Sequence, residues 1–259
     1  VGGDVVYTYG DVDRVFPLAS VTKPIVAWSA LVAVERGLMS LDDPAGPEGS
    51  TVRHLLAHAS GLPFEGRRPV AAPEKRRIYS NEGFDVLGEV IEASTGVGVA
   101  QWVRETVFEP LGMVAADIPG SPAHAGVASA SDVSLFGAEL ASPTLVSGPL
   151  AALAALSQFP ALAGVTPGYG RFNPCPWGLG LEIRGEKSLR TGPRPTPPRA
   201  RSGTSGSPAP SCGRTAIFAP VLPLSARSLL GSGITTIGRP SMRSCCASRA
   251  SMRNRYGTR

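Results

Sequence analysis

Ser20 and Lys23 stand three residues apart where the sequence enters a long apolar run. On a helix, positions i and i+3 share one face, so the hydroxyl and the amine lie within reach of each other. A serine hydroxyl is a weak nucleophile until a base takes its proton. Lys23 serves as that base only if its pKa falls, which burial at the positive end of a helix favours. The pair reads as a nucleophile and base for acyl transfer. A Ser-x-x-Lys spacing is common by chance, so its surroundings must carry the reading.

Those surroundings include Tyr79-Ser80-Asn81 at the start of a second helical pattern. There a tyrosine oxygen can share protons with Ser20 and Lys23, and an asparagine amide can orient the lysine or a substrate. Taken alone, Tyr79 reads as a half-buried aromatic and Asn81 as a helix cap. Between the two motifs runs Leu55-Leu56-Ala57-His58-Ala59-Ser60-Gly61-Leu62. In this order and spacing, the three segments resemble the serine β-lactamase and penicillin-binding superfamily, most closely its class C-like branch with related esterases and D-amino-acid peptidases.

The resemblance covers residues 5–183. It implies that Ser20 is acylated, that Lys23 and Tyr79 share the general base and acid roles, and that Asn81 positions. It also implies that the Ser20 N–H forms half of an oxyanion hole. The substrate is expected to be a small ester, amide or lactam, with neither metal nor cofactor. A transacylase and a noncatalytic binding protein on the same fold are the rival readings. The third motif of the family, Lys-Thr-Gly or His-x-Gly on an edge strand, is missing. Thr191-Gly192 follows Arg190 rather than a lysine.

The sequence changes character at Ser188. Residues 188–259 hold 12 Arg, no Lys and no acid, which leaves 13 of the 25 basic residues against all 20 acids in residues 1–187. The first part is thus acidic, at about −7, although the whole carries +5. Translated one base out of frame, the codons of residues 202–213 permit Gly-His-Phe-Gly-Gln-Pro-Gly-Thr-Phe-Leu-Trp, which contains a His-x-Gly. We expect two parts: a hydrolase domain over 1–187 and an out-of-frame segment over 188–259. Without its edge strand the chain is expected to fold poorly and to be nearly inactive. The alternative is a disordered basic tail that binds nucleic acid; on the leading reading no nucleic-acid partner is expected.

The elements that must position these groups can be read from pattern. Residues 5–10 and 12–16 look like short strands around Gly10-Asp11. Residues 25–34 are apolar nearly all round, marking a buried helix with Pro24 in its first turn and an end near Gly37. Ser50 is the expected cap of a helix through Val52, Leu55 and Leu56 that stops near Ser60-Gly61-Leu62-Pro63. Ser80 or Asn81 opens a helix carrying Phe84, Leu87, Val90 and Ile91, ending at Thr95-Gly96. Residues 101–108 and 131–140 are further helices. Residues 177–183 alternate like a strand. The expected fold is α/β (α+β): an antiparallel sheet flanked by helices, with an inserted helical subdomain and an incomplete sheet.

The remaining features exclude rather than identify. The 42% hydrophobic content supports a sizeable core, and no run reaches membrane-spanning length. The sequence opens at Val1 without a charged n-region and apolar h-region, so either a leader has been removed or the start of the gene product is absent; a cytoplasmic location is the expectation. Four cysteines without C-x-x-C spacing support neither a disulfide framework nor zinc. His54 and His58, four apart, are expected as cap or core residues rather than metal ligands, with His58 placed in a structural turn by the resemblance.

Overall fold

A computed structural model describes residues 7–8, 10–167 and 170–184. The segment 188–259, expected to be out of frame, lies outside the described residues, as does half of the expected strand over 5–10.

The organising element is α1 (Thr22–Glu35), whose Ile25, Val26, Ala27, Trp28, Ala30, Leu31, Val32 and Ala33 are all buried. A helix with no polar face must be surrounded. Around it pack α3 (Glu82–Thr95), α4 (Val99–Val103) and a π turn (Arg104–Phe108) that runs into α5 (Glu109–Leu111). Polar groups inside this core are paired. The Glu139 carboxylate, on α6 (Ala130–Ala141), accepts from Trp28 Nε1 at 3.0 Å, Thr144 N at 2.9 Å, Thr144 Oγ1 at 2.7 Å and Leu145 N at 2.9 Å. A buried carboxylate with four donors holds α6 and its following turn against α1.

The strands are short and form two sheets among the described residues, where one antiparallel sheet was expected. β1 (Phe16–Pro17) pairs antiparallel with β3 (Val127–Ala128). β2 (Arg77–Ile78) pairs parallel with β4 (Gly164–Thr166), which pairs antiparallel with β5 (Gly170–Phe172). The mixture of helices and strands matches the expected class, with the helices inserted between strands.

Several boundaries differ from expectation for local reasons. Residues 12–15 are not strand: Asp11 Oδ1 accepts the Asp13 N–H at 3.2 Å, an Asx-type turn that bends the backbone first. The cap of α2 (Val52–Leu56) is Thr51 rather than Ser50. His54 Nδ1 reaches back to the Thr51 N–H at 3.1 Å, closing a capping box with histidine in the usual Glu position. Helix α2 ends at once, because His58 adopts φ +55°. Residues 177–183 form a bent strap rather than a strand. Gly178 N donates to Leu181 O at 2.8 Å, and Gly180 N donates to Leu56 O at 2.9 Å. At Gly180 (φ +76°) an added Cβ would fall 2.1 Å from Ala27 Cβ, so the backbone approaches α1 as only glycine permits. Helix α7 (Gly148–Ala155) was not anticipated; its signal is Ser147 capping Leu150 N, followed by Pro149 in the first turn.

Arg77 braces the strand that leads to Tyr79. It is 2% exposed, and its guanidinium meets only carbonyls: Cys175 O from Nε at 2.7 Å, Gln158 O and Phe159 O from Nη2 at 2.7 and 3.0 Å, and Ala57 O from Nη1. Three separate chain segments close on one side chain.

Candidate active site

Ser20 lies in a 3₁₀ turn (Ala19–Val21) between β1 and α1 and is exposed. The turn is held from both sides. Leu18 N donates to Gly126 O at 2.8 Å, Gly126 N donates to Thr22 Oγ1 at 2.9 Å, and that hydroxyl donates to Ala19 O at 2.7 Å. Ala19 carries φ +47°, a left-handed conformation that costs an alanine free energy and persists where surrounding contacts impose it. Gly126 must be glycine, since a Cβ there would sit 2.6 Å from Thr22 Oγ1.

In the first turn of α1, Lys23 is 2% exposed. Its Nζ donates to Asn81 Oδ1 at 2.6 Å and to Ala123 O at 2.8 Å, and stands 3.4 Å from Ser20 Oγ. The ammonium also lies 4.7 Å from the Tyr79 ring centroid and 5.8 Å from that of Phe84. Burial lowers the Lys23 pKa to about 8, with the Asp85 carboxylate opposing the shift.

Asn81 occupies the cap position of α3 but its amide does not cap. Ser80 Oγ accepts the Gly83 N–H at 2.8 Å instead, which leaves the Asn81 side chain for Lys23. The Tyr79 hydroxyl lies beside the Ser20 side chain. Its pKa is raised, by burial above all and by the Glu182 carboxylate, while the Ser20 contact pulls the other way. The fold thus brings Ser20, Lys23, Tyr79 and Asn81 together from three elements.

Under Tyr79 lies His58, 4.6 Å away ring to ring, with Phe84 and Trp177 on other sides at 5.4 and 4.7 Å. Its Nδ1 accepts the Ser80 N–H at 3.2 Å. Burial, then the nearby charges of Lys23 and Arg77, holds its pKa well below the ordinary value, so the imidazole is neutral. His54, by contrast, caps α2 and bonds Glu74 Oε1 through Nε2 at 3.0 Å. The two histidines do not share a helix face. Among the described residues, no three His, Cys, Asp or Glu side chains are grouped to hold a metal.

Sequence reasoning missed the Ala123 carbonyl, Asp85, and the aromatic wall of Phe64 and Trp177, whose rings lie 6.3 and 5.6 Å from that of Tyr79. A backbone acceptor leaves no mark in residue type. Phe64 is about half exposed beside the tyrosine, which an isolated loop aromatic does not announce.

The beta-lactamase family model matches residues 1–189. The chain belongs to the beta-lactamase family. A solved beta-lactamase from Mycobacterium bovis, Mb2281c, is 49% identical and covers 71% of this chain and 68% of its own, with a TM-score of 0.70. An octameric penicillin-binding protein homologue from Pyrococcus abyssi shares the fold at 22% identity and a TM-score of 0.58, over 70% of this chain and 58% of that one. Among curated relatives, penicillin-binding protein 4* of Bacillus subtilis is 27% identical over 43% of this chain and 35% of its own length. Esterase EstB of Burkholderia gladioli is 36% identical over 39% and 38%. The chain spans little more than a third of the length of these curated relatives. This is a family of serine hydrolases whose named members include esterases and carboxypeptidases. No helix among the described residues is long and apolar enough to cross a membrane.

Proposed function

We propose that this beta-lactamase family member is built to hydrolyse a small ester, amide or lactam through an acyl-enzyme on Ser20. The observation that carries the reading is Lys23: a buried amine of pKa about 8, 3.4 Å from the serine oxygen, held by Asn81. Near neutral pH a useful fraction of such an amine is unprotonated, which a base needs. Tyr79, shifted upward, remains a phenol.

The roles divide accordingly. Ser20 Oγ forms a bond to the substrate carbonyl carbon while its proton passes to Lys23 Nζ, giving a tetrahedral oxyanion and an ammonium. The bond to the leaving group then breaks as the Tyr79 hydroxyl protonates it, and the Lys23 ammonium returns a proton to the phenolate. Water repeats the sequence in reverse order of roles and releases the acid. Asn81 keeps the lysine in register throughout.

We further propose that residues 188–259 are translated out of frame and that the chain as written turns over slowly. The absence of acids and lysines after Ser188, and a family match that runs over residues 1–189, support this. The same missing third motif favours a second reading, a binding protein that retains the pocket without turnover.

Intact-mass labelling with a fluorophosphonate or penicillin probe tests both. The chain is compared with a version carrying one restored base near codon 188, and each with its Ser20→Ala variant. Labelling of the restored protein at Ser20, abolished by the alanine, is expected. Labelling of neither, with ligand binding intact in Ser20→Ala, would favour the binding protein.

A further inference from the structure

Lys23 has a carboxylate neighbour that the proposed chemistry leaves unused. Asp85 sits one turn into α3, four residues after Asn81, and its Oδ1 accepts a hydrogen bond from Ser121 Oγ at 2.5 Å. Ser121 Oγ in turn accepts the Ala123 N–H at 3.1 Å, and Ala123 O accepts from Lys23 Nζ at 2.8 Å. A continuous run of three contacts therefore joins the carboxylate to the amine through one tight turn.

That turn has few other freedoms. Its backbone is closed by Ala125 N donating to Ser121 O at 2.9 Å. Pro122 packs on α3 at Gly88, where a Cβ would come within 2.9 Å of Pro122 Cγ. Three residues earlier on the same helix, Asp85 supplies the second anchor. Beyond the turn, Gly126 is fastened to Thr22 and Leu18, which flank the Ser20 turn. The segment 121–126 thus ties α3 to both ends of the Ser20–Lys23 pair. Of these contacts, the one to Asp85 brings a carboxylate.

We infer that Asp85 is a positioning residue for Lys23, acting through the Ser121–Ala123 turn and through its own charge. The inference rests on Lys23 being the base proposed above. Asp85 reaches Lys23 through Ser121 and Ala123. Its work is to keep the Ala123 carbonyl aimed at the amine and to set how readily that amine holds its proton. The other groups facing Lys23 are Ser20 in the preceding 3₁₀ turn, Tyr79 and Asn81 at the β2–α3 junction, Phe84 on α3, and His58 after α2, which itself feels the charge of Arg77. Of these His58 is neutral and Arg77 is a cation, so Asp85 is the carboxylate that counters burial at Lys23.

The chain contains three lysines, Lys23, Lys75 and Lys187, so selective carbon-13 labelling of lysine Cε follows Lys23 on the full chain without any need for turnover. The Lys23 signal, assigned by its loss in Lys23→Met, should titrate near pH 8. Asp85→Asn keeps an acceptor for Ser121 and removes the charge; its midpoint should fall by about half a pH unit or more. Asp85→Glu should stay near wild type. Ser121→Ala leaves the charge in place; its midpoint should hold while Ser20 labelling by a fluorophosphonate slows about tenfold.

An Asp85→Asn midpoint equal to wild type overturns the charge role, and unaltered labelling in Ser121→Ala overturns the relay. If neither wild type nor its frame-restored version is labelled at Ser20 at any pH, the hydrolase reading fails, and the lysine titration still decides whether Asp85 governs Lys23.

Discussion

Lys23 Nζ is closer to Asn81 Oδ1, at 2.6 Å, than to Ser20 Oγ, at 3.4 Å. The amine is held by an acceptor on another helix, and the serine comes to it. Asn81→Ala removes that acceptor from a buried amine. Acylation by an ester probe should drop by about a hundredfold with little change in KM, since the lost interaction serves the proton transfer. A drop confined to KM would instead place Asn81 on the substrate.

The acylation rate should rise with pH and level off above about 8, where Lys23 becomes neutral. Below that point it should fall by about tenfold per pH unit. Stability should show the companion effect. The folded pKa lies below the unfolded value of 10.5, so between about 8 and 10.5 the unfolded chain binds more protons. The wild-type Tm should therefore gain on that of Lys23→Met as pH rises through this window, measured by differential scanning calorimetry.

His58 predicts the acid side. Its folded pKa is depressed, so the stability it contributes is present above the unfolded value of 6.5 and declines as pH falls below it, because only the unfolded chain takes the proton. A His58→Gln variant should be less stable at pH 8 and should show a flatter Tm profile between pH 6.5 and 5 than wild type. Parallel profiles would count against this.

Gly180→Ala should lose about 2–4 kcal/mol in urea unfolding, because it combines overpacking with a left-handed backbone. The new methyl would collide with Ala27 in the middle of α1, four residues after Lys23. A shorter Lys23–Ser20 labelling half-life is not expected; slower labelling is.

The parts of the site that were legible before the fold were those carried by residue type at short spacing. Ser20-x-x-Lys23 and Tyr79-Ser80-Asn81 each lie within one turn of chain, and the start of α3 at Ser80-Asn81 and its end at Gly96 were visible from their propensities. What could not be read depends on closure between distant segments. The Ala123 carbonyl meets Lys23 across 100 positions, and nothing about an alanine foretells it. Residues 177–183 alternate in polarity as a strand does, yet Gly178 and Gly180 mark backbone pressed against helices, and tertiary packing outweighed the period. Ser80 and Asn81 both favour caps; only the fold decided that Ser80 would cap and release Asn81 for Lys23.

Arg77 has a consequence for how such a protein would decay. Its four carbonyl contacts exceed the three hydrogens of an ammonium, so lysine cannot replace it. The brace supports the strand before Tyr79, whereas Ser20 and Lys23 are carried together at the start of α1. On the roles proposed above, damage at position 77 would therefore strip the leaving-group acid while sparing the nucleophile and its base. A lineage drifting this way would pass through a stage that captures activated acyl groups and fails to release them. Its last functional members would be single-use acceptors.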